Sequence, residues 1–183
     1  MKILLSLCIL LGLTGFAPPK PKLTTVKVAP GLSVGIPQGF TPLPDEGIAV
    51  KFPAARKPLA VFTNPAGRVD YSVSARPTTF GPDYPILLAM YKASVQRLYT
   101  KVEFLRQETR KVNGRDFAAL EFVSTLTDNR RGSVQLAAVR KYEYLMYSVQ
   151  GEQLYIFSFS APAEEQAQWQ PIAQAAMNAI ELK

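Results

Sequence analysis

The chain has 183 residues, the length of one domain with a short extension. Hydrophobic residues make up 48% and charged residues 19%, as in ordinary globular proteins, which excludes a disordered polar chain and a multi-span membrane protein. The sequence contains no histidine, and its single cysteine, Cys8, lies near the start, so the usual side chains of acid–base, nucleophilic and zinc chemistry are missing. We therefore expect a protein that is not an enzyme and has no cofactor or metal.

The first 17 residues have the pattern of a secretory signal peptide. A positive start at Lys2 precedes an apolar run from Ile3 to Leu13, which is too short for a membrane span of about 20 residues. The small residues Gly15 and Ala17 match a cleavage site, so cleavage is predicted after Ala17 or after Gly15. The sequence thus predicts a secreted or periplasmic protein with no transmembrane segment in the mature chain.

Prolines divide the remaining chain into two differently built parts. The run PPKPK after the signal predicts an extended leader over residues 18–27, and residues 28–183 are predicted to form a single domain. Short apolar stretches between turn signals then predict four short strands, at Leu32–Ile36, Ile48–Phe52, Leu59–Thr63 and Val69–Ala75.

A change of period after residue 83 predicts a helix. Leu88, Tyr91, Val95 and Leu98 recur at spacings of three and four over residues 84–101. Asp83 can cap this helix, and a proline follows where the first turn tolerates one.

Long strands and a closing helix are predicted in the second half. Asn113-Gly114 is typical of a type I′ hairpin turn, because both central positions need positive φ. A stripe of apolar residues that includes Trp169 predicts the last helix, over residues 163–180. The predicted strands are Phe104–Val112, Arg115–Thr127, Ser133–Gln150 and Gln153–Ser160, with a turn at 128–132. The segment Ser133–Gln150 is either one long strand or a bulged pair of strands. This order predicts an α+β fold in which two helices cover a mostly antiparallel sheet.

Three segments of this pattern carry a resemblance to a known family. They are LSVGIPQGF from Leu32, VNGR from Val112 and QGEQLYIFSFSA from Gln150, the last followed by the helix with Trp169. In this combination the chain resembles the PsbP-like family, which includes the lumenal subunit of the oxygen-evolving photosystem and the periplasmic lipoprotein DcrB. The resemblance implies an α-β-α sandwich, a secreted or periplasmic location and an auxiliary binding role without catalysis. No metal-site residue is carried over, since the chain lacks the matching ligands.

One segment of interleaved basic and aromatic residues is the candidate binding site. On a strand, Arg140, Tyr142, Tyr144 and Met146 share one face, where tyrosine rings beside a cation could stack a sugar, an aromatic ligand or a base. Arg115 is predicted to lie nearby. The alternative is that the tyrosines pack beneath a helix, since tyrosine is common in strands and periodicity alone explains the pattern.

Two functions remain open at this point. The first is an envelope accessory or protein-interaction module with a protein or another envelope component as its partner. The second is a small-ligand or anionic-surface binder that uses the basic and tyrosine-rich strands, which the formal net charge of +7 favours, although that charge also serves solubility alone. Nucleic acid is not expected as a partner, because the signal peptide directs the protein out of the cell and no RNA-recognition pattern is present.

Overall fold

The computed structural model describes residues 21–52, 56–127 and 137–183. The predicted signal peptide, the start of the leader, the turn at 128–132 and the first residues of the strand predicted from Ser133 lie outside these ranges. No helix in the described part of the chain is long and apolar enough to cross a membrane.

Strands dominate the described structure. In chain order the elements are β1 (Leu23–Ala29), β2 (Leu32–Pro37), β3 (Thr41–Pro42), α1 (Asp45–Lys51), β4 (Ala60–Thr63), β5 (Asp70–Pro77), α2 (Tyr84–Leu98), β6 (Lys101–Val112), β7 (Arg115–Leu126), β8 (Val139–Gln150), β9 (Gln153–Pro162), a 3-10 turn (Ala163–Glu165), α3 (Gln166–Asn178) and β10 (Glu181–Leu182).

A seven-stranded antiparallel sheet forms the middle layer, in the order β3-β4-β5-β9-β8-β7-β6. Helix α2 packs on one face, mainly against β6 and β7. Helix α3 and a second sheet, β1-β2-β10, pack on the other face. The α+β class and the α-β-α sandwich are therefore confirmed.

Alternating side chains place one apolar core on each face of the large sheet, as the two-residue period of a strand requires. Phe157 and Phe159 of β9 are fully buried in the core beneath α3. Leu120 and Phe122 of β7 are fully buried in the core beneath α2, where they meet Leu87.

Several predicted elements are confirmed. Asn113 and Gly114 adopt φ values of 47° and 83°, as the type I′ turn between β6 and β7 requires. The Asp83 side chain accepts a hydrogen bond from the Ile86 N–H at 3.1 Å and caps α2. Helix α2 ends at Leu98, earlier than predicted, because the chain enters β6 at Lys101.

Two early segments differ from their predicted structure. The strand predicted at Ile48–Phe52 is wrong, because Asp45–Lys51 forms α1, with acidic residues in its first turn and Ile48 as its buried residue. Residues 23–27, assigned to the leader by the sequence, form most of β1, whose Leu23 and Val26 pack against the core beneath α3.

A β-bulge at Leu105 changes which face of the sheet the even-numbered side chains of β6 occupy. Phe104 pairs with Phe122, but Arg106 pairs with Glu121, so one extra residue lies between these pairs. Even-numbered residues before the bulge therefore face α2, while Arg106 and the even-numbered residues after it face α3.

We predict that Leu105 is the extra residue that the bulge accommodates, and that Arg106 belongs opposite Glu121. Deleting Leu105 should leave the other side chains of β6 on their present faces, whereas deleting Gln107 can restore regular pairing only by placing Leu105 opposite Glu121. The Leu105 deletion should therefore melt at least about 4 °C above the Gln107 deletion, since 1 kcal/mol is worth about 2–4 °C in a domain of this size. Thermal melts followed by circular dichroism measure this difference, and equal melting temperatures would contradict the assignment.

Candidate functional site

The two tyrosines of the predicted site lie in the core. Tyr142 and Tyr144 of β8 are both 0% exposed and belong to the cluster beneath α3. Burial raises the pKa of both phenols, and for Tyr142 the nearby Glu121 carboxylate raises the pKa further. Neither ring can stack an external ligand, so the core-packing alternative describes these residues.

The structure also separates the two arginines of the predicted site. Arg140 is exposed at the start of β8, in a hollow of about 280 Å³ that it shares with Arg68 and Lys141. Arg115 lies at the start of β7, where its Nε donates to the Leu182 carbonyl at 2.9 Å and fastens β10. The four predicted residues therefore form no single open site.

A buried carboxylate that the sequence did not single out organises the space beneath α3. Glu121 is 1% exposed and accepts hydrogen bonds from the Tyr142 hydroxyl at 2.9 Å and from Gln170 and Gln174 of α3 at 2.7 and 3.1 Å. The Arg106 Nε lies 3.2 Å from its other oxygen. The charge is thus satisfied by one cation and three neutral donors that tie α3 to the sheet.

A second buried carboxylate lies on the opposite face. Glu143 is 7% exposed and accepts hydrogen bonds from the Ser124 hydroxyl at 2.6 Å and the Tyr99 hydroxyl at 3.0 Å. Burial, followed by the Glu143 charge, raises the pKa of Tyr99. Because both carboxylates are enclosed, we interpret them as parts of the fold rather than as a catalytic pair.

An open hollow with a volume of about 940 Å³ lies beside α2. Its apolar lining includes Phe80 from the loop before α2, Leu87 and Met90 from α2, and Leu154 from β9. The loop is held in place by the Thr78 N–H, which donates to the Glu152 carbonyl at 2.8 Å.

Arg76 is the one cation among the described residues that line this hollow. Its guanidinium donates to the Tyr91 hydroxyl and lies 5.6 Å from the centre of the Tyr91 ring. Tyr91 in turn stacks on Tyr147 at 3.8 Å between ring centres, with an angle of 13° between the planes. The stacked rings give Arg76 a rigid support.

A second hollow of about 520 Å³ continues from the first along β5 and β9. Arg76 and Pro77 line both hollows. Ser74 and Ile156, which pair across the two strands, also line the second hollow. We call the two hollows together the α2 groove. Its second half carries two further cations, Arg56 and Lys57.

The α2 groove combines an apolar half with a cationic half, which suits binding of a ligand with apolar and anionic groups. Glu152 is the only acid among the described residues that line it. The described residues contain no group of three or more side chains that could hold a metal ion. The α2 stripe in the sequence predicted that Tyr91 faces the sheet, but no sequence signal indicated that Arg76 lies beside it.

We predict that the hydrogen bond from Tyr142 to Glu121 stabilises the fold. Changing Tyr142→Phe should lower the free energy of unfolding by about 1.5–3 kcal/mol, the usual worth of a hydrogen bond to a charged group. The matched control is Tyr155→Phe, because the Tyr155 hydroxyl makes no hydrogen bond within the described residues. Urea denaturation measures the free energy of unfolding of both variants. Equal decreases would show that the hydrogen bond to Glu121 adds no stability.

The buried tyrosines also predict how stability depends on pH. Burial raises the pKa values of Tyr71, Tyr142 and Tyr144 above the value of about 10 in the unfolded chain. The contribution of these shifts to the free energy of unfolding is complete below pH 10. It is lost as the pH rises toward the raised pKa values, by about 1.4 kcal/mol per pH unit for each tyrosine.

An alkaline titration tests this dependence. Tyrosinate absorbance and circular dichroism should show that these three phenols ionise together with unfolding. Ionisation of all eight tyrosines while the native dichroism persists would contradict it.

Comparison with known proteins shows the fold. No protein-family model and no curated protein matches the sequence. Cyanobacterial PsbP (CyanoP) from Synechocystis superposes with a TM-score of 0.60 at 14% identity, covering 94% of this chain and 99% of that protein. The Ran-binding protein Mog1p of Saccharomyces cerevisiae gives a TM-score of 0.56 at 14% identity, over 88% of this chain and 96% of that one.

A third solved structure connects the same fold with the cell envelope. LpqN, which is involved in cell envelope biogenesis of Mycobacterium tuberculosis, superposes with a TM-score of 0.54 at 11% identity, over 88% of this chain and 90% of LpqN. These superpositions confirm the resemblance to the PsbP-like family at the level of the fold, and the chain is a protein of the PsbP-like fold.

Proposed function

We propose that the protein is a non-catalytic, extracytoplasmic module that binds another protein of the cell envelope through the α2 groove. The observation that carries this proposal is the groove itself, whose larger hollow of about 940 Å³ has apolar lining residues beside the cation Arg76. Such an open surface suits binding of another protein better than enclosing a small substrate for catalysis.

Exposed apolar side chains on α2, one of them in the groove, support a protein partner. Ile86 and Met90 lie one turn apart on α2 and are 54% and 40% exposed. Met90 lines the larger hollow beside Phe80. Apolar and aromatic side chains next to an arginine are common at the centres of protein interfaces.

The chemistry of the groove supports binding without catalysis. Thr78 and Thr79 supply hydroxyls, but their only acidic neighbour in the lining is Glu152, and the chain has no histidine. Activating a hydroxyl as a nucleophile requires an adjacent base that is itself oriented by a third group.

The location and the type of partner rest on the signal pattern and the similar structures together. The first 17 residues read as a signal peptide. LpqN is involved in cell envelope biogenesis, and Mog1p binds Ran, a protein partner. A protein-binding role in the envelope combines these observations.

We predict that a photo-crosslinking amino acid placed at Met90 captures an envelope protein in the native host. The same label at Thr24, an exposed residue of β1 on the other side of the molecule, is the control. A second change, Ile86→Glu, should abolish the Met90 adduct because it places a charge one turn from Met90 on the exposed surface of α2. Adducts that are absent at Met90, equal at both positions or insensitive to Ile86→Glu would each contradict the proposal.

A further inference from the structure

We infer that the α2 groove recognises an acidic peptide segment, with an apolar side chain in the larger hollow and carboxylates on Arg76 and Arg56. This inference rests on the proposed function and adds the chemistry of the partner. It follows from how charge is distributed over the described residues of the groove.

The two arginines are free to receive a carboxylate. The eight ion pairs between described residues include neither Arg56 nor Arg76. Lys57, the third cation, is paired with Asp45 of α1. Both arginines are exposed, so they keep the charge available at the surface.

The position of Arg76 suits recognition of a carboxylate. One Nη2 hydrogen bond and the ring contact hold its guanidinium on Tyr91. A guanidinium has five N–H donors, so further donors remain for a carboxylate, which arginine binds in a forked geometry. Because stacking on Tyr147 fixes Tyr91, little side-chain freedom is lost when a ligand binds.

The apolar half of the groove sets the other requirement. Phe80, Leu87, Met90 and Leu154 line the larger hollow together with Arg76. Its volume of about 940 Å³ is ample for one large side chain of a peptide. A bound segment thus needs an apolar or aromatic residue next to its acidic residues.

Glu152 gives the segment a direction. It lines the larger hollow, whereas the smaller hollow has Arg56 and Lys57 and no acid among its described residues. Acidic residues of a ligand are therefore attracted toward the Arg56 end and repelled at the Glu152 end. The formal net charge, which is +7 for the full chain including Lys2 of the predicted signal peptide, adds long-range attraction for an acidic partner, and salt screens this attraction.

Two labelled peptides test this inference on the purified mature protein. The acidic probe is a Gly-Phe-Glu-Asp-Glu-Gly amide with an uncharged BODIPY fluorophore on its N-terminus, and its neutral match replaces each acid by its amide. Fluorescence anisotropy at low salt should show affinity about tenfold higher for the acidic probe, and added salt should reduce the difference.

Three charge variants locate the binding site. Arg56→Gln and Arg76→Gln should each weaken the acidic probe about three- to fivefold, the range expected of one solvent-accessible ion pair. Arg97→Gln removes the same charge from the exposed last turn of α2 and should stay within about twofold of the unchanged protein. Circular dichroism checks that each variant is folded, and because Arg56 lies outside the helices and strands, its variant keeps the test valid if Arg76→Gln unfolds.

Several outcomes would overturn the inference. They are equal affinity for the acidic and neutral probes, a loss with Arg97→Gln as large as with the groove variants, or no binding at millimolar protein. Binding to phosphatidylglycerol vesicles that exceeds peptide binding and falls with Arg56→Gln would overturn it in favour of a lipid surface. If the Met90 crosslink forms but the probes do not differ, the proposed function stands and this inference fails.

Discussion

The width of the sheet is the constraint from which the rest of the structure follows. Seven strands at a spacing of about 4.8 Å extend over roughly 30 Å, whereas a helix with its side chains is only about 10 Å across. On one face, α3 needs the small sheet beside it to complete the cover. On the other face, α2 covers mainly β6 and β7, so the strands β5 and β9 in the middle of the sheet keep an open side. The α2 groove is this uncovered strip.

The polar groups of the core follow the same geometry. Glu121 lies on β7, next to the edge strand β6 and beneath the middle of α3, within reach of partly exposed Arg106. A carboxylate at such a boundary can be buried and still find a cation at the surface. The bulge accommodates Leu105 as an extra residue, so Phe104 can face α2 while Arg106 still lies opposite the carboxylate of Glu121.

The sequence predicts the parts of the fold that depend on local patterns. The spacing of Leu88, Tyr91 and Val95 predicted α2, and Asn113-Gly114 predicted the hairpin between β6 and β7. Both predictions hold because the helical period and the need for positive φ are local properties of the sequence. The strand predicted at Ile48–Phe52 failed because a short apolar stretch fits either period.

The candidate site was harder to predict for a related reason. Alternation correctly put Tyr142 and Tyr144 on one face, but it does not reveal whether a helix covers that face. The pairing of Arg76 with Tyr91 joins residues from a strand end and a helix, and no local pattern encodes such a contact. The sequence therefore predicts most of the order of the elements, but it does not predict which face of the sheet is left open.

The edge strand β6 has a consequence for how the protein behaves at high concentration. Within the described residues β6 ends the large sheet, and twelve-residue strands with free backbone groups readily join to neighbouring molecules. Here Arg106, Glu108 and Arg110 carry charge onto the inward side of that strand, and the bulge interrupts its regular spacing. A second molecule that paired with this edge would bring its own charged side chains close to these charges. The charges of β6 therefore disfavour aggregation through the edge of the sheet.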